Sequence, residues 1–207
     1  MHRSLPKALA IASLTVAGAL AAAGPSRAAL LGYNAALNGA GVATPTPSLG
    51  GGFAEATIDT AADTLDLLVH FYGLSGTDTG AHIHCCTATP DTGTAGVATP
   101  IPAFPAFPLN VTSGDYHQLF DLTQAASYNP AFVTAKGGVG GAESALLAGL
   151  AAGEAYFTLH TTIYPGGEIA GFFAPAAVPE PATWALALLG FGVAGAALRR
   201  RRTAVVA

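Results

Sequence analysis

Residues 53–72 have the sequence FAEATIDTAADTLDLLVHFY. Apolar and polar side chains nearly alternate in Phe53–Asp59 and again in Thr64–Tyr72. An alternation of period two is typical of a β-strand that buries one face and exposes the other. The four residues from Thr60 to Asp63 have a length that suits a hairpin turn. We therefore expect an antiparallel β-hairpin at this point in the chain.

Further strands are expected along the chain, separated by turn residues. The candidate segments are Ala81–His84, His117–Leu122, Ala155–Thr161 and Glu168–Phe173, with a glycine-rich turn at residues 165–167. About seven short strands with frequent turns predict an all-β fold, either a sandwich or a Greek-key barrel. Residues 29–177, which hold these segments, number 149, and this length suits one domain with one core.

One helix and two long loops complete the expected domain. The helix is predicted over Glu143–Ala152, because Gly153 follows it as a typical C-cap residue. Residues 87–110 are rich in Thr, Pro, Ala and Gly, and residues 135–141 are rich in glycine. Such compositions favour loops over regular structure.

The C-terminal thirty residues combine three features that a soluble domain does not need. Pro179, Glu180 and Pro181 precede the apolar run Ala182–Leu198, and four arginines close the segment: Arg199, Arg200, Arg201 and Arg202. Seventeen residues rise about 26 Å as a helix, close to the hydrocarbon thickness of a bilayer. The arginines place this end of a transmembrane helix in the cytoplasm by the positive-inside rule.

The order of these parts resembles the PEP-CTERM sorting tail of exported bacterial proteins, which exosortases process at the membrane. The resemblance implies that residues 178–207 form a sorting tail and that residues 182–207 are removed. A permanent single-span anchor is the alternative, and it does not account for Pro179–Pro181.

The N-terminus predicts a signal peptide over residues 1–28. Arg3 and Lys7 form a basic region, and the apolar stretch Ala8–Gly24 follows. Ser26 and Ala28 are small residues at the positions that signal peptidase reads, so we expect cleavage after Ala28. An uncleaved N-terminal anchor is the alternative. The remaining residues, 29–177, would form the folded domain.

The domain left after both segments are removed is strongly acidic. Residues 29–177 contain eleven Asp and Glu residues but only one Lys or Arg, Lys136, which gives a formal charge of −10. A surface of this charge repels nucleic acid and has no basic patch that could grip phosphate. We therefore expect no nucleic-acid partner.

Several segments in sequence order resemble the CHRD domain, a module first described in chordin. They are Ala36–Gly39, Gly73–Gly76, Ala81–His84 and Leu159–Ile169. The resemblance covers residues 32–175 and implies an all-β, immunoglobulin-like extracellular module without a general enzymatic activity. Two departures stand out. Cys85 and Cys86 replace a usual Gly-Pro, and Ala170 replaces an arginine that often precedes the glycine.

Three histidines are the only residues that suggest a metal site. His82 and His84 point to the same face of their predicted strand, with Ala81 and Ile83 on the opposite face. His160 lies on the more polar face of another strand and could supply a third ligand if the strands are neighbours. Imidazoles suit Zn or Cu. The alternative is that these histidines bond to backbone groups and hold the loop 87–110 in place.

The adjacent cysteines leave three possibilities open. An exported protein is expected to have paired cysteines. The Cα atoms of Cys85 and Cys86 are about 3.8 Å apart across a trans peptide, below the usual range for a disulfide. A strained disulfide between them, intermolecular disulfides, and thiolates that support the histidine site or redox chemistry all remain open.

Enzymatic motifs are lacking in the sequence. It contains no Gly-x-Ser-x-Gly, no His-Glu-x-x-His and no phosphate-binding loop.

We expect a non-enzymatic protein that acts as a structural or binding module at the cell surface or in the extracellular matrix. Signal peptidase and an exosortase are expected to take part in its export. A surface polysaccharide or a matrix component is the expected partner. A metal-binding or redox protein using His82, His84 and His160 is the alternative, and a hydrolase outside the known motifs is a third.

Overall fold

The computed structural model describes residues 30–176 and the single residue Phe191. The predicted signal peptide, the sorting motif Pro179–Pro181, the apolar run Ala182–Leu198 and the arginines Arg199–Arg202 lie outside the described residues. These features therefore stay predictions from the sequence. Within the described residues, no helix has the length and apolar character needed to span a membrane.

The described residues form a mostly β domain, as the sequence predicts. The strands are β1 (Leu30–Asn38), β2 (Gly51–Asp59), β3 (Thr64–Tyr72), β4 (Asp78–His84), β5 (Gly114–Asp121), β6 (Tyr156–Thr161), β7 (Ile169–Phe172) and β8 (Ala174–Pro175). They form one antiparallel sheet in the order β4-β6-β7-β1-β2-β3-β5, and β8 also pairs with β1.

The predicted hairpin is confirmed as β2 and β3. Their register joins Phe53 to His70 and Asp59 to Thr64 across the turn. Alternate residues of both strands are fully buried, as the period of two requires. A side-chain oxygen of Asp59 accepts hydrogen bonds from the backbone N–H groups of residues 61 and 62, which fixes the turn. In the sheet, the hairpin lies between β1 on one side and β5 on the other.

The sheet is strongly curled, because a short connection joins strands from distant places in it. β3 and β4 are five strand steps apart, which is about 24 Å in a flat sheet. The chain from Tyr72 to Asp78 spans at most about 20–22 Å when extended. The sheet must therefore bend until β3 and β4 approach each other.

Backbone hydrogen bonds join the two ends of the curled sheet. The N–H of Asp78 donates to the carbonyl of Val111 just before β5, and the N–H of Leu74 donates to the carbonyl of Thr112. The inner faces of β1–β6 share one hydrophobic core. The architecture is thus one continuous curled sheet, whereas an immunoglobulin-type sandwich consists of two separate sheets.

The predicted helix is confirmed as α2 (Val139–Ala152), which ends at Gly153 in the left-handed conformation with φ of 71°. It begins four residues earlier than the predicted Glu143, so the prediction of a loop over residues 135–141 is wrong in its second half. Gly141 allows this early start, because a Cβ there would lie only 1.9 Å from the carbonyl oxygen of Lys136. A side chain would keep the helix from following the preceding segment so closely.

A second short helix, α1 (Pro130–Ala135), precedes α2. Asn129 caps it by accepting a hydrogen bond from the N–H of Ala131, and Pro130 is its first residue. Asn followed by Pro is a typical helix start, so the sequence did contain a signal for this helix. The long loop predicted over residues 87–110 is confirmed. It contains isolated bridges and lies against β4.

Candidate metal centre

The three histidines predicted as metal ligands lie on two neighbouring strands. β4 and β6 are paired with His82 opposite Thr158 and Gly80 opposite His160. Because side chains alternate along a strand, His82, His84 and His160 all point to the face opposite the hydrophobic core. Ala81 and Ile83 point into the core and are fully buried, as the sequence predicts.

The three rings form a compact cluster. Their centroids are 5.9 Å apart for His82 and His84, 5.1 Å for His82 and His160, and 6.1 Å for His84 and His160. One nitrogen of each ring can be chosen so that all three lie within 4.8 Å of one another. Gly80 makes room for the cluster, since a Cβ there would lie 3.3 Å from the His82 ring and 2.6 Å from the Pro102 carbonyl oxygen.

Hydrogen bonds orient two of the rings and fix which nitrogen carries the proton. Nδ1 of His84 lies 2.9 Å from the carbonyl oxygen of Ala95, and Nδ1 of His160 lies 2.9 Å from that of Pro165. A carbonyl oxygen only accepts, so Nδ1 is the protonated nitrogen in each neutral ring. Nε2 then carries a lone pair. A metal-bound histidine uses the same arrangement, with its other nitrogen held by a carbonyl.

Several buried ring nitrogens of the cluster have no hydrogen-bond partner of good geometry. They comprise Nε2 of His84, Nε2 of His160 and the ring nitrogens of His82, although the Pro102 carbonyl lies close enough to affect His82. Leaving a buried polar atom unpaired costs about 1–3 kcal/mol. A metal ion bound between the rings would satisfy one nitrogen of each ring.

Burial keeps the rings of His82 and His84 uncharged. The pKa of His82 is lowered from 6.5 to about 4, chiefly by burial and then by the rings of His160 and His84, while the Pro102 carbonyl acts weakly in the opposite direction. Burial also lowers the pKa of His84, against the effect of its bond to Ala95. At neutral pH both rings are neutral, the form that binds metal.

A cavity of about 210 Å³ lies beside the cluster. The rings of His84 and Tyr156 contribute to its wall and are stacked at 4.8 Å with an angle of 7° between them. Thr158 also lines the cavity, and its buried hydroxyl group has no hydrogen-bond partner. The hydroxyl of Tyr156 accepts a hydrogen bond from the N–H of Ala95, which holds the loop over the site.

The two cysteines lie next to the histidines in sequence but on the core side of the domain. Their sulfur atoms contact each other, and both lie near the carbonyl oxygen of Ala145 in α2. The group of ligand atoms within 4.8 Å consists of the three histidines alone within the described residues. The alternative in which cysteine thiolates support the histidine site is therefore not what the structure shows.

The histidine site and most of the curled sheet lie in a segment that matches a known protein family. A family model described as the CHRD domain matches residues 33–173, which is more than half of the chain. The chain belongs to the CHRD domain family. The matched residues contain most of β1, all of β2–β7, both helices and all three histidines. No curated protein and no solved structure matches the chain.

A second family model, the PEP-CTERM protein-sorting motif, matches residues 177–202. Both resemblances noted in the sequence are therefore confirmed. The sorting motif implies export and processing by an exosortase. Neither the CHRD domain nor the PEP-CTERM motif is an enzyme family.

Ala170, the position that departs from the CHRD pattern, lies next to the histidine site. It pairs with Thr158 across β6 and β7 and is buried. An arginine at this position would place a positive charge beside the row that contains His82 and Thr158. Alanine at this position carries no charge, so it does not repel a cation from the cluster.

Sequence reasoning missed Glu168 as a special residue. It is fully buried, and its carboxylate accepts hydrogen bonds from the hydroxyl groups of Ser48 and Thr161 and from the N–H groups of Ser75 and Gly76. The available signal was its place in the specific segment Leu159–Ile169, which distinguishes it from the acidic residues of the surface.

The two remaining histidines of the described residues lie on β3 and β5, away from β4 and β6. His70 pairs with Asp115 at 2.6 Å, and His117 pairs with Asp66 at 2.7 Å. All four side chains are substantially exposed. They are separate from the cluster of His82, His84 and His160, and they provide matched positions for control variants.

Proposed function

We propose that this CHRD domain binds one Zn²⁺ or Cu²⁺ ion through His82, His84 and His160. The observation that carries the proposal is the set of buried ring nitrogens without hydrogen-bond partners on three clustered imidazoles. Two of the rings are oriented by backbone carbonyls in the manner of metal ligands.

The donor set selects the class of metal. Imidazole nitrogens suit Zn, Cu, Fe and Ni, whereas Ca²⁺ and Mg²⁺ take oxygen ligands. Metal–nitrogen bonds of about 2.0–2.1 Å require the ligand atoms to be closer together than 4.8 Å, so the rings would move inward on binding. Among the abundant divalent ions, copper and zinc bind such sites most strongly.

A structural function of the same histidines is the second candidate. The bond from His84 to Ala95 attaches the loop 87–110 to β4, as the alternative in the sequence analysis predicted. This function accounts for Nδ1 of His84 but leaves the inward nitrogens unexplained. A structural or binding module without metal would therefore contain an unsatisfied buried cluster.

The proposed site of action is outside the cell. After removal of the signal peptide by signal peptidase and of the tail by an exosortase, we place the domain at the cell surface or in the extracellular matrix. The matched sorting motif supports export, and the acidic domain would attract cations there. A surface polysaccharide or another matrix component remains the proposed neighbour.

Metal analysis of the purified full chain tests the proposal. We expect about one equivalent of bound Zn²⁺ or Cu²⁺ per chain after dialysis, because the three ligands are already placed together. The double variant His82→Ala/His84→Ala should lose this metal, whereas the control variant His70→Ala/His117→Ala should retain it.

Circular dichroism of each variant distinguishes the two candidates. An intact spectrum in His82→Ala/His84→Ala with loss of metal supports the metal site. A wild-type chain that binds no metal, combined with a destabilised double variant, would instead favour the structural function.

A further inference from the structure

We propose that the bound metal keeps one coordination position open toward the neighbouring cavity and that a small anion binds there, with Thr158 as its hydrogen-bond donor. This inference rests on the proposed metal site of His82, His84 and His160. It extends that site from holding a metal to binding a second, exchangeable ligand of the size of hydroxide or azide.

The open coordination position follows from the number of protein ligands. Structural zinc sites have four protein ligands, whereas sites with three protein ligands leave a position for water or another small molecule. Within the described residues, the ligand group contains three histidines and no carboxylate or thiolate. The sulfur atoms of Cys85 and Cys86 lie against α2, on the other side of β4.

Thr158 is the proposed hydrogen-bond donor to the anion. It lies directly opposite His82 in the β4–β6 pair and is only 4% exposed. Its methyl group is near Gly167, where a Cβ would come within 2.8 Å of it. Thr158 lines the cavity beside His84, and its hydroxyl group is buried without a hydrogen-bond partner. A hydroxyl donor is therefore present on a residue that adjoins both His82 and the cavity.

The size and charge of the cavity identify the class of ligand. A volume of about 210 Å³ admits a ligand of a few atoms together with water, since one water molecule occupies about 30 Å³. None of the residues that line the cavity is an Asp, Glu, Lys or Arg. Three neutral imidazoles leave the charge of a divalent ion uncompensated, so an anion is the favoured occupant.

The binding step is a simple exchange. Water fills the open position in the absence of another ligand, and loss of its proton to solvent leaves hydroxide on the metal. An added azide ion replaces this water or hydroxide, which returns to solvent. Only metal–ligand bonds form and break, and neither the metal nor the protein changes oxidation state.

The test uses the full chain loaded with Co²⁺, whose visible absorption depends on coordination. We expect azide to change the spectrum in a saturable manner with one azide per cobalt. Thr158→Val should bind azide about fivefold more weakly, as expected for loss of one hydrogen bond of about 1 kcal/mol. Thr158→Ser keeps the hydroxyl and should restore much of the affinity.

The control variant is Thr57→Val, which makes the same change at an exposed position of β2. A cobalt spectrum that does not respond to azide would overturn the open position while leaving the metal site intact. Equal azide affinities in Thr158→Val and Thr57→Val would overturn the assignment of Thr158. Failure of the full chain to bind Co²⁺ would instead overturn the proposed function itself.

Discussion

Glu168 shows how a charge can be buried without a cation. Its carboxylate joins three separate segments of the chain to β7, because its donors are Ser48, the neighbouring residues Ser75 and Gly76, and Thr161. Burial raises the pKa of this carboxyl, but the hydrogen bonds together outweigh it and hold the pKa below the usual 4.5. The ionised form is thus the one that the fold stabilises.

We expect Glu168→Gln to lower the free energy of unfolding at neutral pH by about 1–3 kcal/mol, because the new NH₂ group faces donors and leaves them unpaired. A group with a lowered pKa in the folded state contributes its stability above about pH 4.5 and loses it as the pH falls through the folded pKa. The difference between wild type and variant should therefore shrink below about pH 4.5.

Urea unfolding between pH 3 and 7 measures this difference. The matched control is Glu55→Gln, since Glu55 is an exposed residue of β2. Equal stabilities of Glu168→Gln and Glu55→Gln at pH 7 would contradict the account given for the buried carboxylate.

Local sequence predicted the strand faces on which the three histidines lie, but not that β4 and β6 are neighbours, which brings His160 to the other two. The period of two places His82 and His84 on one face, and the composition of β6 places His160 on its polar face. The importance of Glu168 could not be predicted in the same way. Three of its four donors, in Ser48, Ser75 and Gly76, come from segments far away in the sequence, so the residues around Glu168 do not reveal which groups bind its carboxylate.

The strands differ in how clearly the sequence marks them. Apolar and polar residues alternate in β2 and β3, whereas β1 contains small and polar residues such as Gly32, Asn34 and Ala36 on its outward face. The sequence therefore marks β1 less clearly, although Tyr33 and Leu37 are buried. The sequence left a sandwich and a barrel open, because the curl of the sheet follows from pairing between segments far apart in the chain.

Helix α2 contacts the two adjacent cysteines through a glycine. A Cβ at Gly149 would lie 2.4 Å from the sulfur of Cys85 and 2.7 Å from that of Cys86. Both distances are far below ordinary contact. The glycine in the middle of the helix is thus required by the close approach of β4 and its cysteines, although glycine weakens a helix by about 1 kcal/mol relative to alanine.

We expect Gly149→Ala to destabilise the domain, since overpacking in a core costs about 1–3 kcal/mol and exceeds the gain in helix propensity. Gly140→Ala is the matched control in the same helix, because a Cβ at Gly140 meets nothing within 4 Å. Thermal unfolding followed by circular dichroism compares them. A Gly149→Ala variant as stable as Gly140→Ala would show that the cysteines do not pack against the helix as described.

At the scale of the whole molecule, the net charge depends on whether the C-terminal tail is present. The domain contains eleven acidic residues and one cation, Lys136, whose amino group lies 5.5 Å from the centre of the Phe132 ring. Four of the eight basic residues of the chain belong to the tail. Removing the tail would therefore make the exported product more acidic and strengthen its attraction for metal cations.

The fate of the tail is the prediction that concerns the whole chain. In a host with the processing enzyme, we expect the exported protein to lack residues 182–207, because the PEP-CTERM motif matches residues 177–202. Intact-mass spectrometry of the surface fraction measures this directly. The control variant Glu180→Ala changes the motif without altering the apolar run or the arginines, so it should remain membrane-bound and unprocessed. A wild-type surface product that still carries Arg199–Arg202 would show instead that the segment is a permanent anchor, since four charged guanidinium groups would hold it at the cytoplasmic face.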